Sequence, residues 1–533
     1  MTRGKATPRS AAREVSDRHR TNAPRAHSTP GLLPPVHELR QRWTEFFRDF
    51  DVLLMPATPT TAPPHHNKPI DRFGRRIQVD ERSRPYWDQV KWSAIANVAG
   101  SPATTIPVRT SRPHRKVPMN TLDTPLTLPN GQILANRLMK SALSEALGNR
   151  DNAPDERLGR LYSTWSRGGY GLMITGNVMV DRTQLGEPGN IVIEDERDLD
   201  ALSRWARSAQ DSGGAIWAQL NHPGRQANPL ALGHTPVAPS PIPTKLPGAA
   251  TPRELRPAEI EEIIERFATA AAVCETAGFN GVQVQAAHGY LISQFLSPLS
   301  NRRDDGWGGD PERRMRFALE VVRRIRGRVG PGFAVGVKLN SADFQRGGFT
   351  EDESQAVLAA LAHEDVDLIE VSGGSYESMA MSGSAAPSTR AREAYFLEYA
   401  STVRKAVGDI PLAVTGGFRT RDAMQQAVQA GECDVVGIGR PAITTPDAAR
   451  LILEGQVKAV TAHQARYGMR TLLGNITDLK VLDGVLDISW HTDQMHRLGN
   501  GLHPDLNRGS LAATMAMVRR NGRTSFRARR GGS

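Results

Sequence analysis

Eight short apolar runs constrain this chain more than any other feature: 138–142, 172–175, 215–220, 282–286, 334–339, 368–371, 412–415 and 435–438. Amphipathic segments lie between them, and two of these, 257–278 and 312–329, carry helical spacing; the first begins at Pro257 and stops at Gly278. Strand after helix over about 340 residues predicts an α/β fold, a (β/α)8 TIM barrel with insertions. A doubly wound sheet is the rival, but no Gly-x-Gly-x-x-Gly follows the first run to build a nucleotide crevice there.

In such a barrel the residues just beyond each strand face the active site. The fourth run alternates Val282 and Val284 with Gln283 and Gln285, then spills into a small-residue turn holding His288 and Tyr290. Taken alone, these two residues fit core packing as well as proton transfer. Their place at a strand end selects the chemical reading. The third run ends in Trp217-Ala218-Gln219-Leu220-Asn221, and the Gln219 amide donates and accepts at once, as an amide-rich ring requires. The fifth carries Lys338, a cation suited to stabilising negative charge on a reduced ring. The seventh and eighth end in Thr415-Gly416-Gly417 and Gly437-Ile438-Gly439-Arg440, where glycine backbone N–H groups and a guanidinium suit a phosphate.

The formal charge of +11 invites a nucleic-acid reading until it is located. Residues 1–31 hold seven Lys/Arg against two acids, and residues 518–533 hold six arginines and no acid. Those two tails account for the whole excess, so the body between them is neutral and offers no nucleic-acid groove. Both tails are expected to be disordered. The first, rich in Arg, Ser and Ala, is also similar to an organelle transit peptide but lacks its amphipathic period. No apolar run is long enough to span a membrane. The only cysteines, Cys274 and Cys433, form no paired motif, which excludes a cysteine metal cluster and fits a cytoplasmic protein.

Ahead of the barrel, "FDVLLMPATPTTAPP" and "RPYWDQVKWSAIANVAGSPATTIPV" resemble the C-terminal end of an amidase-signature enzyme over about residues 32–108. That family's Ser–Ser–Lys site sits in a Gly/Ser-rich stretch, and none precedes this segment; Gly373-Gly374-Ser375 belongs to a different pattern. The segment is therefore expected to be an inactive fragment, and amide hydrolysis is the weaker alternative function. Its apolar strand at 51–56 should find cover on the next domain or in a homo-oligomer. The expected layout is a basic tail (1–31), the amidase-like fragment (32–108), a linker (109–118), the barrel (119–460), a C-terminal extension (461–517) and an Arg-rich tail (518–533).

The barrel phrases "NRLMKSALSE", "AQLNHPGRQA", "PRELRPAEI", "VGIGRPAI" and "AGFNGVQVQAAHGYLISQFLSPLSNRRDDGWGGDPERRMRF" are similar to the Old Yellow Enzyme family of FMN-dependent oxidoreductases over about residues 120–460. The resemblance implies FMN over the barrel mouth, with its phosphate around Gly417, Gly439 and Arg440. It implies ring contacts from Ala142, Ser144, Gln219 and Lys338, with Gly176 or Asn177 near the reactive nitrogen. NADH or NADPH would reduce the flavin, which would pass a hydride to a small-molecule, electron-poor alkene. Tyr290 matches the proton donor, and His288 the second of two donors to the substrate carbonyl. The first of those donors, usually His, is Gln285 in this chain, and Ser144 and Ala146 stand where some relatives have Cys and Tyr. Gln285 would weaken oxyanion stabilisation, so a flavin-binding barrel with little alkene reduction is the remaining alternative.

Overall fold

The computed structural model describes residues 76–79, 82–85, 120–227, 234–245, 249–373, 396–461, 463 and 477–521. The chain divides into two units, Met1–Arg115 and Lys116–Ser533. Of the first, the described part is an antiparallel pair, Arg76–Val79 with Arg82–Pro85. The expectations for the remainder of 1–115, for the loop holding Gly374 and Ser375, and for the tail beyond 521 lie outside the described residues.

In the second unit eight parallel strands close on themselves. They are β1 (Leu138–Lys140), β2 (Leu172–Met179), β3 (Ala215–Asn221), β4 (Gly281–Ala286), β5 (Ala334–Asn340), β6 (Leu368–Ser372), β7 (Leu412–Thr415) and β8 (Val435–Ile438). Closure is made by β8 on β1, with Val436, Gly437 and Ile438 opposite Leu138, Met139 and Lys140. Each strand coincides with one of the apolar runs. Around them lie α1 (Glu156–Arg167), α2 (Leu199–Gln210), α3 (Pro257–Thr276), α4 (Leu291–Leu296), α5 (Pro311–Arg326), α6 (Glu351–Leu361), α7 (Leu397–Val407) and α8 (Arg421–Gln429). After β8 come the short α9 (Pro441–Thr444) and α10 (Ala448–Leu453), then the paired α11 (Thr477–Gly499) and α12 (Ser510–Asn521).

Local chemistry sets the helix ends. Pro257 opens α3 while the Glu259 carboxylate accepts the Arg256 N–H at 2.8 Å; Gly278, at φ +87°, reverses the chain. Thr350 and Glu353 form a reciprocal capping box on α6, and Asp310 caps α5 from the Arg313 N–H at 2.8 Å.

Strand side chains alternate between two environments. One set, including Val282, Val284, Val335 and Val337, packs under the helices in the main core. The other faces the lumen, whose N-terminal half is filled by Met139, Leu172, Ile174, Ala215, Trp217, Ala334, Leu368, Ala413 and Val435. A small hairpin, Leu126–Thr127 with Ile133–Leu134, closes that end by adding Leu128 and Leu134 to the cluster. Trp217 fits because two neighbouring strands carry no side chain beside it: a Cβ on Gly336 would lie 2.7 Å from Trp217 Cζ3, and one on Gly281 2.9 Å from its Nε1. The C-terminal half of the lumen is polar. Among the described residues no helix is long and apolar enough to cross a membrane.

This packing predicts a coupled pair of effects. Trp217→Ala should cost about 3–5 kcal/mol, and Gly336→Ala about 1–3 kcal/mol by overpacking. In the double mutant the second cost should largely vanish, because the ring it collides with is gone. Denaturant midpoints of the four proteins measure this, and additive costs would contradict it.

Candidate active site

The polar half of the lumen is a connected set of side chains. Strand register places Gln283 opposite Gln219, Gln285 opposite Lys338, and Lys338 opposite Glu370. Gln283 Nε2 donates to Glu370 Oε2 at 2.7 Å, and Gln219 Nε2 donates to Gln283 Oε1 at 2.7 Å. Gln285 Nε2 reaches Gln219 Oε1 at 3.5 Å, a long contact, and Gln285 Oε1 has no hydrogen-bond partner among the described residues. The Lys338 ammonium sits 2.8 Å from Glu370 Oε1, as an ion pair rather than an aligned hydrogen bond. Both side chains are buried, so the lysine enters the site already neutralised.

A bulge brings β2 into this set. Register between β2 and β3 slips between Ile174 and Asn177, and Thr175 Oγ1 takes the Gln219 N–H at 2.8 Å. The next residue, Gly176, cannot carry a side chain, because its Cβ would lie 2.0 Å from Glu145 Oε2. Its N–H donates to Glu145 Oε1 at 2.9 Å and so is committed to the protein.

Beyond β4 the chain turns sharply, with His288 at φ +62° and Gly289 at φ +77°. Asn340 Oδ1 accepts the His288 N–H at 3.2 Å, and the imidazole Nε2 lies 2.8 Å from Ser372 Oγ. Burial, and then the positive charge of Lys338, hold the His288 pKa well below its usual value, so the ring is neutral. Tyr290, also buried, precedes α4. Asn177 Nδ2 donates to its hydroxyl at 2.9 Å, and Asn221 Nδ2 in turn donates to Asn177 Oδ1 at 3.1 Å.

The segment after β1 forms the opposite wall. Lys140 is fully buried, donating to the Ile174 carbonyl at 2.9 Å and to Tyr162 Oη at 3.3 Å, with Glu145 at 3.8 Å. Tyr162 hydrogen-bonds Glu145. Burial lowers the Lys140 pKa to about 8 against the opposing pull of Glu145. Ser144 is hydrogen-bonded to Glu187, whose pKa burial raises. Ala142 packs, half-buried, against the lumen cluster.

At the ends of β7 and β8, Gly416 and Gly417 both have positive φ, +128° and +86°. A Cβ on Gly439 would meet nothing nearer than Leu143 Cδ2 at 4.0 Å, so space stands over that strand end. Arg440 Nη1 pairs with Asp487 Oδ2 of α11 at 2.8 Å. A ring presented to Gln219 and Lys338, with a phosphate over Gly439, is compatible with these groups: an amide of both polarities, a buried cation and an open glycine cradle. FMN fits this donor set.

The fold gathers Gln219, Gln285, His288, Tyr290 and Lys338 at one end of the lumen. It commits Ser144 and the Gly176 N–H to carboxylates, and gives Arg440 an internal partner. Sequence reasoning missed Glu370, Gln283, Asn221, Asp487 and the Lys140–Glu145–Tyr162 group. Lumen parity was the available signal: Gln283 and Glu370 occupy the same alternating positions as Gln285 and Lys338.

The family model described as "NADH:flavin oxidoreductase / NADH oxidase family" matches residues 121–458. A second, "Amidase", matches residues 35–138. Its last part takes in the hairpin and ends at Leu138, the first residue of β1, which the fold builds into the barrel. The chain is 38% identical over 347 residues to the "NADH-dependent flavin oxidoreductase iliE" of Hypocrea jecorina (strain QM6a), covering 60% of this chain and 86% of that one. It is 35% identical to the "NADH oxidase" of Thermoanaerobacter brockii, covering 61% of this chain and 49% of that one. Among solved structures, a 2-naphthoyl-CoA reductase in complex with 2-naphthoyl-CoA superposes with a TM-score of 0.61 at 25% identity, covering 69% of this chain and 58% of that one. Morphinone reductase in complex with tetrahydroNAD gives 0.54 at 27%, covering 64% and 92%.

Lys140 makes a pH prediction. Its folded pKa of about 8 lies below the ordinary lysine value, so between the two the unfolded chain holds a proton the native state has lost. Stability should therefore rise as pH climbs through 8 toward 10, where buried Tyr162, held well above its usual pKa, begins to reverse the trend. Lys140→Met should flatten the rise in denaturant midpoint between pH 8 and 10. An unchanged rise in that variant would assign it to other groups.

Proposed function

The chain belongs to the NADH:flavin oxidoreductase / NADH oxidase family of FMN-dependent oxidoreductases, and from that premise we propose that it reduces carbonyl-activated alkenes. The observation that carries this is the exit of β4, which sets a neutral His288 and an oriented Tyr290 beside the Gln219–Lys338 face of the lumen. FMN held there would, once reduced by NADH, supply the hydride for the β-carbon of the alkene.

The residues supply the rest. Adding hydride places enolate charge on the substrate oxygen, and a neutral imidazole N–H stabilises it without the cost of a buried cation. The Ser372 hydroxyl, able to donate or accept, fixes that ring. Tyr290, held by Asn177 and Asn221, gives its proton to the α-carbon and regains one from solvent. Gln219 and Lys338 would hold and polarise the flavin ring, with Ala142 and Ser144 bordering it, and Gly417, Gly439 and Arg440 would receive the phosphate. The amide of Gln285 takes the place of the first carbonyl donor and is the weaker of the pair.

Half-reactions separate these roles. Tyr290→Phe should slow oxidation of reduced enzyme by 2-cyclohexenone on the order of 10²–10⁴-fold while reduction of the flavin by NADH stays near wild type. Equal loss in both half-reactions would remove the proton-donor role. Gln285→His should keep enone turnover or raise it, by up to about 10²-fold. If it abolishes a robust wild-type rate, Gln285 is no weakened donor.

A further inference from the structure

Glu370 lies in no catalytic position, yet it sits at the head of the lumen network. As a carboxylate it has only lone pairs to offer. Gln283 must therefore turn its NH2 toward Glu370 Oε2, which leaves Gln283 Oε1 to face Gln219. Gln219 must in turn present its own NH2 to Gln283, which directs Gln219 Oε1 toward Gln285 Nε2. Amide orientation is ordinarily a free choice between two flips. Here one obligate acceptor removes that choice from successive side chains. The other oxygen of the same carboxylate lies 2.8 Å from the Lys338 ammonium. Glu370 is fully buried, so both tasks fall within the lumen network.

We propose that Glu370 is the positioning residue of the flavin site: it fixes the polarity of Gln219 through Gln283, and it sets the net charge beneath the ring by neutralising Lys338. The proposal rests on the reading that FMN lies over Gln219 and Lys338. Two consequences follow from separate oxygens and can be separated experimentally. Removing the carboxylate charge leaves Lys338 uncompensated, which favours the negatively charged reduced ring over the neutral oxidised one. Cutting the amide relay at Gln283 leaves the ion pair in place but frees Gln219 to flip, which weakens the hold on the ring without changing local charge.

The test uses the FMN-loaded wild type, Glu370→Gln, Glu370→Asp and Gln283→Met. FMN affinity is measured by titrating the stripped proteins with FMN, and the two-electron midpoint by equilibration with a dye of known potential. Glu370→Gln should raise the affinity for reduced over oxidised flavin by about tenfold or more, an upward shift of about 30 mV. Glu370→Asp, which keeps the charge, should stay near the wild-type midpoint. Gln283→Met should bind oxidised FMN about tenfold more weakly, with a midpoint close to wild type. A folded Glu370→Gln protein with the wild-type midpoint overturns the charge role, and a Gln283→Met protein of wild-type affinity overturns the polarity role. Should Glu370→Gln fail to accumulate folded, the other two variants decide: a shifted Glu370→Asp midpoint or an unmoved Gln283→Met affinity counts against the proposal. Wild type that takes up no FMN fails the flavin reading itself. Wild type that binds and is reduced by NADH, but shows none of these differences from its variants, fails only the role of Glu370.

Discussion

A closed parallel barrel sends every second strand residue into a lumen walled off from bulk solvent on all sides but its mouth. Apolar residues satisfy that constraint by packing, and in the N-terminal half Trp217 does so against Gly281 and Gly336. Polar residues satisfy it only by finding one another, since a buried unpaired polar group costs about 1–3 kcal/mol. The C-terminal half therefore holds a network in which Lys338, Glu370, Gln283 and Gln219 are mutual partners. The same network presents a charge-balanced ammonium and an oriented amide to whatever lies above it. Structural necessity and chemical capacity are supplied by the same side chains.

The walls follow a similar logic. Glu145 binds the Gly176 N–H and Tyr162 while facing Lys140, so the loop after β1 is locked to the bulge in β2. The C-terminal helices touch the barrel at three places: His496 Nε2 lies 3.1 Å from the Ala146 carbonyl of that loop, Arg160 of α1 donates to Gly499 O at 2.8 Å, and Asp487 pairs with Arg440 after β8. The segment expected only as a C-terminal extension thus touches both the first wall and the expected phosphate end.

The eight strands were legible because each is buried on both faces, which writes a compact apolar run into the sequence. The α3 and α5 helices were legible from their caps and spacing. Harder to see was which face of β4 looks inward: Gln283 and Gln285 read as the polar half of an ordinary strand, whereas the fold puts them in the lumen and Val282 and Val284 under the helices. Glu370 was hidden in an apolar run, and its meaning depends on Gln283, 87 residues away, and on Lys338 in the next strand. Such pairings exist only once register is known. Roles for Tyr290, His288 and the flavin contacts came from resemblance, and the geometry gives Tyr290, His288, Gln219 and Lys338 partners. The amidase likeness is carried by the family match at 35–138, most of it outside the described residues.

The central claim is that this lumen holds FMN and accepts electrons from NADH. Its most direct test is an anaerobic titration of the FMN-loaded protein with NADH, followed by the yellow absorbance of oxidised flavin. The expected result is stoichiometric FMN that is bleached by NADH and whose absorbance returns on adding 2-cyclohexenone. Protein that retains no FMN, or retains it and is not bleached by NADH, would contradict it.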